Sequence, residues 1–107
     1  MPYSEELDAR IGEMISGWHT ERKKMFGGTC RLLRGNMMCG VYKDFLILRL
    51  GKEQARRALK DPRFRPFDIT GRPMEGWVMV PEESLSDRAL GEWLEAARKF
   101  AAALPPK

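Results

Sequence analysis

Between residues 25 and 50, three apolar segments follow one another with connections too short for a crossover. They are Met25–Leu33, Met37–Tyr42 and Phe45–Leu50, and Gly35-Asn36 and Lys43-Asp44 mark the turns. Parallel strands need a dozen or more connecting residues, so connections this short can only join antiparallel neighbours. The chain is therefore committed to a three-stranded meander.

Reading both connections as two-residue turns fixes a register in which Leu32 faces Cys39 and Cys39 faces Leu48. One face then carries Phe26, Gly28, Cys30, Leu32, Met37, Cys39, Val41, Leu46, Leu48 and Leu50, with no charge. Two independent turns that yield one uncharged face support each other. The same register puts Cys30 and Cys39 on a diagonal at ~7–8 Å, too far apart for an easy disulfide. The second face holds Met25, Gly27, Thr29, Arg31, Leu33, Met38, Gly40, Tyr42, Phe45, Ile47 and Arg49. A solvated sheet face should be mostly polar. Met25, Met38, Tyr42, Phe45 and Ile47 therefore need a cover, either the 67–80 segment folding over them or a partner. A second copy is the simplest partner, which makes these five residues the expected interface of a two-fold dimer.

Helical periodicity flanks the meander. Leu7, Ile11, Met14, Ile15 and Trp18 share one face of a helix predicted over residues 4–19, with Ser4 as N-cap and Glu5, Glu6 and Asp8 at the positive end of its dipole. Residues 20–24, Thr-Glu-Arg-Lys-Lys, read as a charged connector. A short basic helix is expected over 52–60, stopped by Asp61-Pro62. Residues 63–66 read as a loop, and Phe67-Asp68-Ile69 leads into a turn at 70–73. A strand over 74–80 places Trp77 and Met79 on one side and Val78 and Val80 on the other. Residues 86–104 form the clearest helix, with Ser86 as N-cap, Leu85 and Leu90 as a hydrophobic staple, and an apolar stripe from Leu90 to Leu104. The expected fold is α+β, in the order α-β-β-β-α-β-β-α: an antiparallel five-stranded sheet with helices packed on one face, in one domain spanning 1–107.

Composition narrows the function. Hydrophobic residues make up 43% and charged residues 32% of 107, an ordinary globular balance. No apolar run is long enough to span a bilayer, and the N-terminus lacks a signal pattern, so a cytoplasmic protein without membrane association is expected. Two cysteines are too few for a disulfide scaffold, and His19 has no second ligand nearby in sequence, so neither a metal nor another cofactor is expected. A net charge of +4 permits nucleic-acid contact without demanding it. Arg22-Lys23-Lys24 and Arg56, Arg57 and Lys60 could follow a phosphate backbone, but solvated surfaces explain them equally well.

No nucleophile-elbow motif surrounds any serine, and no catalytic residue is assigned. Met25-Phe26-Gly27-Gly28 lacks phosphate-loop spacing and precedes a strand. Its glycines read instead as room for a bulge or for another backbone. The turn at 70–73 could present Arg72, joined by Arg49 and Asp68, to an anionic partner. The plainer reading is a Gly/Pro turn with Arg72 bridged to Asp68.

A family resemblance runs through these same residues. Lys24-Met25-Phe26-Gly27-Gly28, then Gly35-Asn36-Met37-Met38-Cys39-Gly40-Val41, then Leu48-Arg49-Leu50-Gly51 resemble the N-terminal domain of the TfoX/Sxy competence regulators. So do Phe67-Asp68-Ile69-Thr70-Gly71-Arg72-Pro73-Met74-Glu75-Gly76-Trp77-Val78 and the closing Leu104-Pro105-Pro106-Lys107. The resemblance implies a secretion-chaperone-like α+β arrangement and a regulatory role. In the family this domain precedes a second one that this sequence does not contain. The leading expectation is a non-enzymatic adaptor acting on an unknown protein partner. A nucleic-acid-associated regulator is the runner-up, and an enzyme acting on a small anion through Arg49, Asp68 and Arg72 ranks third.

Overall fold

A computed structural model of the chain describes residues 3–25, 27–68, 71 and 74–107. Its elements are α1 (Glu5–Met14), β1 (Glu21–Met25), β2 (Gly28–Leu33), β3 (Asn36–Tyr42), β4 (Phe45–Arg49), α2 (Lys52–Ala58), β5 (Arg65–Pro66), β6 (Trp77–Pro81) and α3 (Asp87–Ala102), with a 3-10 turn at Glu82–Ser84. The strands form one antiparallel sheet in the order β1-β2-β3-β4-β6-β5. The α+β class holds, but the sheet has six strands where five were expected.

The extra strand is β1, which occupies most of the expected connector. All five of its residues are exposed and three are basic, so it carries no apolar alternation to announce it. Exposed charge suits a sheet edge, where it discourages pairing with a foreign strand. The first helix is correspondingly shorter than 4–19. It ends at Met14, and the chain turns through Gly17 and through His19, at φ 58°, to enter β1.

The β3–β4 register is the expected one, with Cys39 opposite Leu48 and Tyr42 opposite Phe45. The β2–β3 register differs. The turn is Arg34-Gly35, with φ of 53° and 84°, so Leu33 faces Asn36 and Leu32 faces Met37 rather than Cys39. Two successive positive φ angles are what a tight hairpin turn requires. Asn36 is withdrawn from the turn: it is buried, and its side-chain amide donates to the Pro105 carbonyl at 2.9 Å. The Lys107 N–H donates to the Arg34 carbonyl at 2.9 Å, so the Pro105–Lys107 segment lies against this hairpin.

The turn's displacement alone changes the pairing by two residues and would keep the expected faces. A bulge in β3 at Met38 shifts it back by one and so reverses β2 relative to Cys39 and Val41. Thr29, Arg31 and Leu33 point to the helix side, while Gly28, Cys30 and Leu32 point away. Beyond the bulge Arg31, not Leu32, faces Cys39. At the bulge Met38 and Cys39 both turn toward the helices. Cys30 and Cys39 thus lie on opposite faces, both buried and free, and the sheet itself separates them. Burial pushes the Cys39 thiol up to about 12 and raises that of Cys30.

The main core lies between the sheet and all three helices. It joins Leu7, Ile11 and Ile15, the strand residues Cys39, Val41, Leu46, Leu48, Val78 and Val80, Ala55 and Ala58 of α2, and Leu90, Leu94, Ala97 and Ala101 of α3. Both expected N-caps form: Ser4 Oγ accepts from Leu7 N–H and Ser86 Oγ from Ala89 N–H, each at 3.1 Å. Among the described residues no helix is long and apolar enough to cross a membrane.

Candidate functional site

The helix-free side of the sheet is the candidate contact surface. Alternation puts Gly40, Ile47 and Met79 in one row across it and Tyr42 and Phe45 in the next. Ile47, Phe67 and Met79 form a small second core there, with Met37, Tyr42, Phe45 and Trp77 packed around it and half-buried. Phe67, just beyond β5, folds onto the face and stacks on Trp77 at 5.7 Å between ring centroids. The expected self-cover therefore exists but is partial: it seals Ile47 and leaves the surrounding rings half open.

Two of the five expected interface residues do not belong to an exposed surface. Met38 points to the opposite side, into the main core, because of the bulge. Ile47 is on the expected face but fully buried beneath its own chain. Met25 is 45% exposed at the edge, where its sulfur lies 3.1 Å from the buried Cys30 thiol. Tyr42 and Phe45 remain half open. Met37 and Trp77 join them, both missed as face residues: Met37 because the bulge at Met38 turns it away from the Cys39 side, Trp77 because nothing local to the 74–80 strand shows its place in the sheet order.

Cations ring the surface. Arg65 lies over Phe45 at 5.3 Å, Arg49 over Trp77 at 5.3 Å, and Lys43 over Tyr42 at 5.4 Å. Arg49 also stands 5.7 Å from Phe100 of α3. Contacts of this kind hold a guanidinium by the ring quadrupole without neutralising it. Asp68 is exposed beyond β5, and Arg49 and Asp68 form no ion pair with one another. Arg72 lies outside the described residues, so the proposed Asp68–Arg72 bridge does too.

One charged cluster escaped the sequence reading altogether. Asp8 of α1, read as a dipole partner, is buried against β1 and β2. Its Oδ1 accepts from Thr29 Oγ1 at 2.9 Å and from Arg31 Nη2 at 3.0 Å, and its Oδ2 accepts from Arg22 Nε at 3.0 Å. Arg31 Nη2 also donates to the Asp8 backbone carbonyl at 3.1 Å, while Arg31 Nε is buried without a partner among the described residues. Burial pushes the Asp8 carboxyl up. The hydrogen bonds from Arg22, Thr29 and Arg31, with the charge of Arg31, outweigh it and hold the carboxyl below its ordinary range. A carboxylate so fully engaged is a poor proton acceptor. The cluster instead clamps α1 onto the sheet edge.

Of the two glycines of the Met-Phe-Gly-Gly segment, Gly28 makes the close backbone approach of the plainer reading, while Gly27, at φ 77°, has nothing within 4 Å of its missing Cβ. A Cβ on Gly28 would stand 1.9 Å from the Val41 carbonyl oxygen, so the strand backbones approach where no side chain fits.

No curated protein and no solved structure matches this chain at a significant level. A family model does: that of the TfoX N-terminal domain, over residues 17–101, from the entry to β1 nearly to the end of α3. The match spans the whole sheet, its close-packed glycines and the two later helices, and on it the chain belongs to the TfoX N-terminal domain family.

Proposed function

We propose that the chain is a non-catalytic regulatory domain of competence type, acting in the cytoplasm through protein contacts, and that a second copy covers its open sheet face. Family membership supports the regulatory reading. Two buried free thiols suit a reducing compartment. The observation that carries the contact reading is the uneven cover of the sheet. Three helices seal one side; on the other, Phe67 is the buried member of the second core that comes from outside the strands. A fully exposed large apolar side chain forgoes about 1.5–3 kcal/mol relative to burial. Met25, Met37, Tyr42, Phe45 and Trp77 each forgo part of that, and together they give association a driving force.

A nucleic-acid-associated regulator is the alternative, favoured by aromatic rings beside cations on an open sheet, the makings of a single-strand platform. The rings, however, already carry their own cations, which a base would have to displace. A gel shift at two salt concentrations decides between the readings. The expected result is weak, nonspecific retardation that disappears by physiological salt. Sequence-specific binding that survives there would replace the protein-contact reading.

A further inference from the structure

We propose that the groove between α2 and the start of β6 is a docking site for a peptide segment of another protein, one large apolar side chain flanked by carboxylates. The proposal rests on reading the chain as a contact module, but it uses a surface other than the proposed dimer face.

The groove has a volume of about 420 Å³, within the range of ~300–1,000 Å³ typical of ligand pockets. Ala55, Leu59, Pro66, Met74 and Trp77 give it apolar walls. Leu59 and Met74, each 38% exposed, are two of the three large hydrophobic residues most exposed among the described residues, and both open onto this one groove. Such convergence is what a binding surface shows and scattered surface apolarity does not. The local sequence explains it. The core-facing stripe of α2 is only Ala55 and Ala58, and the helix ends at Leu59.

Charge selects the occupant. Lys52 and Arg56 stand on the rim. Lys52 pairs with Glu75 at 3.2 Å, and Arg57, one residue on, pairs with Glu53 at 2.9 Å. Among the described residues, Arg56 has no ion-pair partner and neither has Lys60 just beyond the helix. An apolar anchor would bury Leu59 and Met74, and a flanking carboxylate would meet Arg56. An apolar floor with one unpaired arginine on its rim fits a side chain better than a phosphate backbone, which requires a track of cations.

The test is an NMR titration of isotope-labelled protein with a capped peptide in which one phenylalanine stands between paired glutamates. A second peptide carries lysines in their place. The acidic peptide should shift Ala55, Arg56, Leu59, Gly76 and the Trp77 indole, and the lysine peptide should not. Leu59→Glu and Arg56→Glu alter exposed side chains, so they should fold, as circular dichroism can check. Each should weaken binding roughly tenfold or more. Phe45→Glu should bind as wild type does. No shifts at the groove, equal binding of both peptides, or binding lost only in Phe45→Glu would overturn the assignment. The last result would still leave the sheet face as a contact surface.

Discussion

Replacing Gly28 with alanine is expected to lower the unfolding free energy by about 3 kcal/mol or more, at or beyond the top of the ~1–3 kcal/mol typical of overpacked interiors. The added methyl would stand 1.9 Å from the Val41 carbonyl oxygen and 3.0 Å from its carbon. Neither atom can move aside as a flexible side chain would, because both are strand backbone. Gly40 marks the same close approach from the other strand, its missing Cβ 2.5 Å from the Thr29 carbonyl oxygen. Against a total stability of ~5–15 kcal/mol for a domain, the loss should lower Tm by more than about 10 °C. Gly17→Ala is the control: nothing lies within 4 Å of its added methyl, so Tm should barely change. Thermal unfolding followed by circular dichroism reads both. A Gly28→Ala protein as stable as wild type would mean that the β2–β3 approach is wrong.

Asp8→Ala should cost about 2–3 kcal/mol, somewhat less than the ~3–5 kcal/mol of breaking a fully buried pair. Arg31 would keep its positive charge with 12% of its side chain exposed and lose its carboxylate partner. It would retain the Asp8 backbone carbonyl, which moderates the loss. The acid dependence follows from the lowered carboxyl. The folded state holds this carboxyl below its ordinary value of 3.8, so its contribution is fully present above that value. It fades as pH falls through the lowered folded value. Urea unfolding at neutral pH should therefore show a wide gap between wild type and variant, and at pH 3 and below a narrowing one. A gap independent of pH would show that the Asp8 charge does not hold the clamp.

The parts of the fold that were legible had local signals. α3 carried its own cap, staple and stripe. β3 and β4 were joined by a turn whose two residues are the ones used, so Cys39 opposite Leu48 followed directly. β6 announced its two faces through alternation at Trp77–Val80. The parts that were not legible depend on groups distant in sequence. The β2–β3 turn uses Arg34, a residue with no preference for positive φ, because Asn36 is drawn inward by the Pro105 carbonyl. The bulge at Met38, equally without a local signal, is why Arg31 was expected on the open face and Cys30 in the core. β1 has no periodicity, since an edge strand of exposed charges needs none. Of the candidate site, Tyr42 and Phe45 were readable from alternation. The Asp8–Arg22–Arg31 cluster was not, because its members lie on three elements and each has an ordinary local explanation.

Sedimentation velocity on the wild type and on Phe45→Glu decides whether the helix-free sheet face is a contact surface completed by a second copy. Phe45 is half open at the start of β4 on that face, so a charge there should leave the fold intact, as circular dichroism can verify. The wild type should sediment as a dimer of the 12.3 kDa chain at high micromolar concentration, and Phe45→Glu as a monomer. A wild type that remains monomeric, or a variant that remains dimeric, would contradict that reading.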